Sequence, residues 1–257
     1  MTPAPQDAGR LNQPERPHEA ERLTRPEVAE LMRQTPVAIL PLGATEQHGP
    51  HLPLGTDSFL AQEVARRLAA ATGALLFPPI PVGYSWVWRD IPGTLTLDEA
   101  TLEQVIKDIA HGLHRQGFKT LILVGGHEAN NAAMKYAVRE LADEIPMRVL
   151  YFFYPGLEAA AAGLIESPTW HGMIHACELE TSLLLAARPE LCHMDRAVRE
   201  YPAKPADYGH SARSLGSLSE SGVFGDATLA TAEKGEHLLN AVVARLVELV
   251  SAIQAEP

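Results

Sequence analysis

The sequence predicts an α/β domain in three layers, a mostly parallel sheet with helices on both faces. Three observations predict it. Apolar runs that suit buried strands, at 37–43, 74–80, 119–124 and 147–154, alternate with segments of helical periodicity. That order builds a parallel sheet with crossover helices. The runs end in loops rich in glycine, proline and polar residues, as strands of such sheets do at the rim where ligands bind. Finally, no linker-like stretch interrupts the middle of the 257 residues, so a single domain over 23–257 is expected. Residues 1–22, rich in Pro, Gln, Glu and Arg, read as a mobile tail.

The elements follow in order. Thr24, Pro26 and Glu27 form a capping-box pattern, which predicts a short helix to about residue 33. The run 37–43 is the first strand, and helical periodicity resumes over 58–68. Pro78 and Pro79 make the second strand an edge strand or end it early. An aromatic-rich loop occupies 81–88, and Pro92-Gly93-Thr94 is a turn. Asp98 is the expected N-cap of a helix to Gln116, with Gly117 just past its end. The run 119–124 is the clearest strand, and a helix follows it through Leu141. After the strand at 147–154, residues 175–187 read as a helix. Residues 195–228 read as loops ordered against a neighbouring subunit, and 230–255 as a long amphipathic helix.

Composition narrows the function. A formal net charge of −11 disfavours nucleic acid, which needs a basic footprint. No apolar run is expected to be long enough to span a bilayer, and no secretory signal pattern opens the chain. The cytoplasm is the expected compartment. Cys177 and Cys192 form neither a disulfide framework nor a zinc knuckle; Cys177 reads as a small buried apolar residue.

Three clusters of donor side chains stand out. The first, Glu46-Gln47-His48-Gly49-Pro50-His51, runs on to Asp57 between the first strand and its helix. Its two carboxylates and imidazole suit Zn²⁺, Mn²⁺ or Fe²⁺ better than soft metals. His51 is expected to hydrogen-bond within the loop. The second is His127, placed after Gly125 and Gly126 at the end of the clearest strand. Parallel neighbours bring the Glu46, Ser85 and His127 loops to one rim. The third is His175 to Ser182, which contains Glu178 and Glu180. On a helix these two glutamates point about 200° apart, so they cannot both face one ion, and spacing alone does not choose between them.

With these clusters in hand, the chain resembles the creatininase family of metal-dependent amidohydrolases. The resemblance rests on residues 40–57, then Pro92-Gly93-Thr94, Gly125-Gly126-His127, 175–182, 222–226 and 232–235. It implies two divalent ions (zinc or manganese, with iron admissible) held by Glu46, His48, Asp57, His127 and Glu180. One ion would see Glu46, Asp57 and His127, the other His48, Asp57 and Glu180, with Asp57 bridging. It implies proton transfer by His175 and substrate contact at Ser85, and assembly into a hexamer. A metal pair brings the pKa of a bridging water from about 15.7 towards about 7, and the resulting hydroxide attacks a carbonyl whose developing charge a metal stabilises.

Departures from the family concern the substrate. In creatininases a Tyr and then a Glu follow the matched histidine; Glu128 and Ala129 stand here. Where relatives often carry a His, this chain has Trp88. The loop bearing Trp86 and Trp88 could stack on a planar or sugar-like ring, and equally could pack at a subunit interface. The expected function is hydrolysis of a C–N bond in a small cyclic amide or formamide, with Ser85, Trp86, Trp88 and Glu128 as candidate substrate contacts. The alternatives are the same site used on another bond, such as C–C cleavage of a cyclic polyol ketone or peptide cleavage in a cofactor precursor, and metal binding without turnover.

Overall fold

A computed structural model describes residues 17–255. Its strands are β1 (His18–Glu19), β2 (Val37–Leu42), β3 (Leu75–Leu76), β4 (Thr120–Gly125) and β5 (Arg148–Phe153), in a five-stranded sheet of order β1-β3-β2-β4-β5. Every pairing in it is parallel. The helices are α1 (Arg25–Gln34), α2 (Thr56–Thr72), α3 (Glu99–Gln116), α4 (Asn131–Glu144), α5 (Leu157–Ala161), α6 (Glu178–Ala187) and α7 (Ala232–Ala255). A short antiparallel pair, β6 (Arg199–Glu200) with β7 (Gly225–Asp226), lies apart from the sheet.

The central strand shows why the layers form. All six residues of β2 are buried, and successive side chains leave opposite faces. Val37 and Ile39 join Ile122 and Val124 in a core with α2, α6 and α7. Ala38, Leu40 and Leu42 join Leu121 and Leu123 in a second core with α3 and α4. Two helical layers therefore cover both faces, which is what a continuous apolar run demands. Each fully buried leucine contributes about 2 kcal/mol of transfer free energy.

Local signals hold in several places. Glu27 accepts from the Thr24 N–H at 2.7 Å and from its hydroxyl at 2.6 Å, the acidic half of the expected capping box. Gly117 ends α3 with φ 105°, a left-handed turn that glycine makes without steric cost. Pro78 and Pro79 do end β3 early, and pairing resumes only where Ile80 bridges Leu42.

Other expectations are corrected. β3 is not an edge strand, because His18 and Glu19 pair with Leu75 and Leu76 on its outer side. These two residues belong to the stretch read as a tail; residues 1–16 of that stretch lie outside the described residues. The helix expected from His175 starts at Glu178, because Ala176 takes a left-handed φ of 49° and breaks the periodicity. Residues 195–228 are mostly loop, with short 3₁₀ turns and β6 and β7. By length and composition α7 is apolar enough to cross a membrane. It packs instead on α6, α2 and α5, burying Leu238, Leu239, Val242, Leu246 and Val250.

Candidate metal centre

The C-terminal ends of β2 and β4 set the centre. After β2 the chain runs through Glu46 and His48 before α2 begins at Thr56, which puts Asp57 in the first helical turn. After β4, Gly126 lets the loop close on that turn. A Cβ on Gly126 would stand 2.2 Å from the Asp57 carbonyl oxygen, so only glycine permits His127 to approach Asp57. His127 Nδ1 then lies 3.0 Å from Asp57 Oδ2, and its Nε2 is 3.5 Å from Glu46 Oε2. From the other side His48 Nε2 lies 3.2 Å from Asp57 Oδ1 and 3.4 Å from Glu180 Oε2.

Two buried triads result, Glu46–Asp57–His127 and His48–Asp57–Glu180, with Asp57 common to both; Glu46, His48 and His175 form a third group of ligand-bearing atoms. Three polar atoms in this cluster, Glu46 Oε2, His48 Nε2 and Asp57 Oδ2, are shielded from solvent and have no hydrogen-bond partner. They approach neighbouring donors and acceptors without the alignment a hydrogen bond needs. Orphaned atoms converging in this way, from a set of carboxylates and imidazoles, fit divalent cations such as zinc or manganese.

The remaining ring nitrogens orient the ligands. His48 Nδ1 donates to the Glu46 carbonyl at 3.1 Å, leaving Nε2 free. His127 Nε2 donates to the Tyr84 carbonyl at 3.0 Å, leaving Nδ1 free. Such partners fix the tautomer a metal ligand needs. Glu180 is held by the Ala176 N–H at 2.6 Å. Asn130 ties the loops together, donating to the Gly43 carbonyl at 2.9 Å and accepting from the Tyr84 N–H at 2.9 Å.

Electrostatics are those of a cluster neutralised by protons. Burial pushes Glu46 up to about 7, against the pull of His127. Burial opposes the charge on His127, yet Glu46 and Asp57 hold it up to about 9. Burial likewise opposes the charge on His48, and Asp57 and Glu180 outweigh it, raising its pKa well above the ordinary value. Asp57 stays well below the usual carboxylate range: burial raises it, but His48 and His127 pull harder. Cations entering the triads would have to displace these protons, which makes metal affinity at such a site pH-dependent.

His175 sits over the cluster, with Nδ1 3.7 Å from Glu46 Oε1. Trp88 stacks on its ring at 4.4 Å with 21° between the planes. Its Nε2 faces Gln47 Nε2 at 2.7 Å. The Gln47 amide is itself oriented: Oε1 accepts from the Gly49 N–H at 3.0 Å, and Nε2 donates to the Gly222 carbonyl at 3.1 Å. Its second amide hydrogen therefore points at His175, so His175 Nε2 accepts and the proton of the neutral ring sits on Nδ1. Gly222 makes room with φ +81°, since a Cβ there would stand 1.9 Å from Gln47 Oε1. Burial drives the His175 pKa well below its ordinary value, and the His48 charge adds to this.

A cavity of about 490 Å³ opens over the centre, lined among others by Glu46, Asp57, His127, Glu128, His175 and Glu180. Of the expected substrate contacts, Trp88 and Glu128 line it. Ser85 is wholly buried and Trp86 packs under the Arg89 guanidinium, 3.8 Å from its ring centroid; neither is among the lining residues. Glu178 is buried too, but away from the centre: it accepts from Lys234 Nζ at 2.6 Å and from the Ser167 N–H at 2.7 Å. His51 donates or accepts through Nε2 at Thr181 Oγ1, 2.9 Å away on α6, a partner outside its own loop.

Among the supporting residues, Gln47, Asn130 and Tyr154 carry no functional role in the sequence reading. Gln47 was hidden between two more conspicuous donors, although a polar residue inside a buried loop must find partners. Tyr154 follows β5, where the rim rule applied to the fourth strand run would have found it. It adopts φ 39° and its hydroxyl is shielded and without a partner.

The comparisons identify the family. A family model described as "Creatininase: Creatinine amidohydrolase" matches residues 21–250. The chain belongs to the creatininase family. It is 31% identical to the creatinine amidohydrolase of Pseudomonas putida, over 83% of this chain and 88% of that protein. It is 32% identical to a mycofactocin precursor peptide peptidase of Mycolicibacterium smegmatis, over 83% and 84% of the two chains. With the 3-dehydro-scyllo-inosose hydrolase of Thermotoga maritima it shares 30%, over 89% and 81%. Among solved structures, a manganese creatininase superposes with a TM-score of 0.80 at 30% identity, covering 93% of this chain and 99% of that one. A mutant creatininase of Zn–Zn type gives 0.80 and 30%, covering 93% and 98%. The creatininase-family chain is thus a hydrolase of α/β fold whose solved relatives include zinc and manganese forms.

Proposed function

We propose that this creatininase-family chain is a dinuclear amidohydrolase, cleaving a C–N bond in a small amide or formamide. The observation that carries the reading is the sharing of Asp57 between two buried triads. Glu46, Asp57 and His127 would hold one divalent cation and His48, Asp57 and Glu180 the other. When bound, such a pair supplies a hydroxide at neutral pH and polarises the carbonyl under attack. The chain's own residues do the rest. Glu46, His127 and Glu180 line the cavity and so fix where a carbonyl can approach. His175 presents the proton-bearing Nδ1 to the same cavity, braced by Trp88 and Gln47, and would donate a hydrogen bond to the leaving nitrogen, whose added proton comes from the attacking water. Trp88, Met173, Leu179 and Leu215 wall the cavity and exclude water from the reacting groups.

Ala129 lines the cavity where creatininases carry a glutamate, which argues for a substrate other than creatinine. Zinc and manganese both suit the donor set. The same reading includes assembly into a homo-hexamer, which sedimentation of the purified protein checks. The deciding experiment measures metal content and turnover together, on a panel of lactams, formamides, N-acyl amino acids, short peptides and cyclic ketones. The expected result is about two metals per chain, hydrolysis of an amide or formamide, and loss of both metal and activity in Asp57→Ala. Metal-free protein as active as loaded protein, or turnover confined to the ketones, would overturn it.

A further inference from the structure

A second hollow adjoins the first. It measures about 530 Å³ and is lined by Asn131, Ala132, Lys135, Tyr136, Tyr151 and Phe153. Asn131, Ala132 and Phe153 also line the cavity over the metal centre, so the two spaces lie side by side at the first turn of α4. The periodicities explain the wall. Positions 131, 132, 135 and 136 fall on one face of a helix, and 151 and 153 on one face of a strand. That strand, β5, ends the sheet, which leaves the hollow open to solvent.

The chemistry of the wall is particular. Lys135 is half-buried and makes no ion pair among the described residues, in a protein whose other half-buried lysines, Lys107 and Lys234, are paired. Its Nζ lies 5.9 Å from the Tyr136 ring centroid. Tyr136 is 48% exposed and, with Tyr151 and Phe153, gives the hollow an aromatic lining. At the junction, Asn131 Oδ1 is shielded from solvent and has no hydrogen-bond partner. An acceptor in that state lacks a donor such as an amide N–H. The first turn of α4 adds the positive end of the helix dipole, although the Asn131 N–H is already given to the Glu128 carbonyl. In a chain of net charge −11, an anion needs such a local arrangement to bind at all.

We propose that this hollow binds the carboxylate-bearing end of an N-acylated aromatic residue. The carboxylate meets Lys135, the ring lies against Tyr136, Tyr151 and Phe153, and the amide N–H reaches Asn131 Oδ1. The acyl carbon is thereby directed past the shared wall towards the metal centre. This rests on the hydrolase reading for its catalytic sense, since it names the substrate class of that site. The carboxylate end can belong to a free N-acyl amino acid or to the last residue of a peptide.

The test is binding, measured by calorimetry on the full-length protein, both metal-loaded and chelated. The probes are N-acetyl-phenylalanine, its amide, and the peptide Gly-Gly-Phe. The acid or the peptide is expected to bind at least tenfold more tightly than the amide in both metal states, and the tighter of the two names the source. Lys135→Met should bring the acid down to the level of the amide, and Ala132→Phe, which crowds the shared wall, should weaken all three. Equal binding of acid and amide, no binding at millimolar concentration, or an advantage that survives Lys135→Met would overturn the proposal. So would an advantage lost on chelation, because the carboxylate would then be sitting on the metals. Failure of the hydrolase reading shows separately, in metal content and turnover.

Discussion

Glu178 and Glu180 stand two residues apart on α6 and meet opposite fates. Glu180 turns to His48 and the metal centre, whereas Glu178 is sealed behind the helix with Lys234. Glu180→Ala should therefore strip metal from one triad with little loss of fold, while Glu178→Ala should keep metal and lose about 1–3 kcal/mol, because the Glu166 and Ser167 N–H groups lose their acceptor and Lys234 keeps only Glu166 as a carboxylate partner. Chemical denaturation and metal analysis on both variants separate the two. Burial tends to raise the Glu178 pKa, but Lys234 and the Ser167 and Glu166 N–H groups outweigh it and hold the carboxyl below its ordinary 4.5. A depressed folded pKa contributes stability that is present above about 4.5 and is lost as pH falls through the lower folded value. Glu178→Gln should flatten that acid limb of the stability curve. The sequence could not separate the pair: helical spacing says only that they diverge, and the choice depends on where α7 delivers Lys234. Gln47 makes a related case. Gln47→Leu removes the hydrogen that His175 Nε2 accepts, so turnover should fall by about 10–100-fold with metal content kept. Unchanged turnover would show that the tautomer does not matter.

At the scale of elements, legibility followed burial. β2 and β4 could be read because both their faces are covered, which writes a continuous apolar run into the sequence. β3 was legible only in part, since Pro78 and Pro79 interrupt its pairing, and β1 was missed because two residues of His-Glu carry no pattern. The start of α6 was missed because Ala176 enters the left-handed region without being glycine or asparagine. The loops were legible through chemistry rather than periodicity: polar donors between apolar elements need a reason to be there. Gly126 is the joint between two such loops. Gly126→Ala forces a Cβ towards the Asp57 carbonyl oxygen, a backbone atom that cannot swing aside as a side chain does. It should cost about 1–3 kcal/mol and weaken metal binding, since His127 and Asp57 must separate to relieve the clash. A crystal structure of the variant with its metals in place and His127 unmoved would refute this.

For the whole molecule, three parts of the chain must meet for the centre to exist: the rim after β2, the rim after β4, and the first turn of α6. None of the triads forms within one element. In the metal-free protein, three buried carboxylates and two buried imidazoles hold one another's charge through protons, an arrangement whose desolvation is only partly offset. A ligand that binds only the folded state stabilises it by RT ln(1 + [L]/Kd), about 4 kcal/mol at a thousandfold excess over Kd. For a domain of this size each 1 kcal/mol moves the melting temperature by about 2–4 °C. Chelation should therefore lower the melting temperature of the as-purified protein by about 8–16 °C, and zinc or manganese should restore it. The same treatment should do nothing to Asp57→Ala, which lacks the residue common to both triads. If chelation lowers the melting temperature of wild type and Asp57→Ala alike, the stabilising metal lies elsewhere, and the convergence of Glu46, His48, His127 and Glu180 on Asp57 serves packing rather than cations.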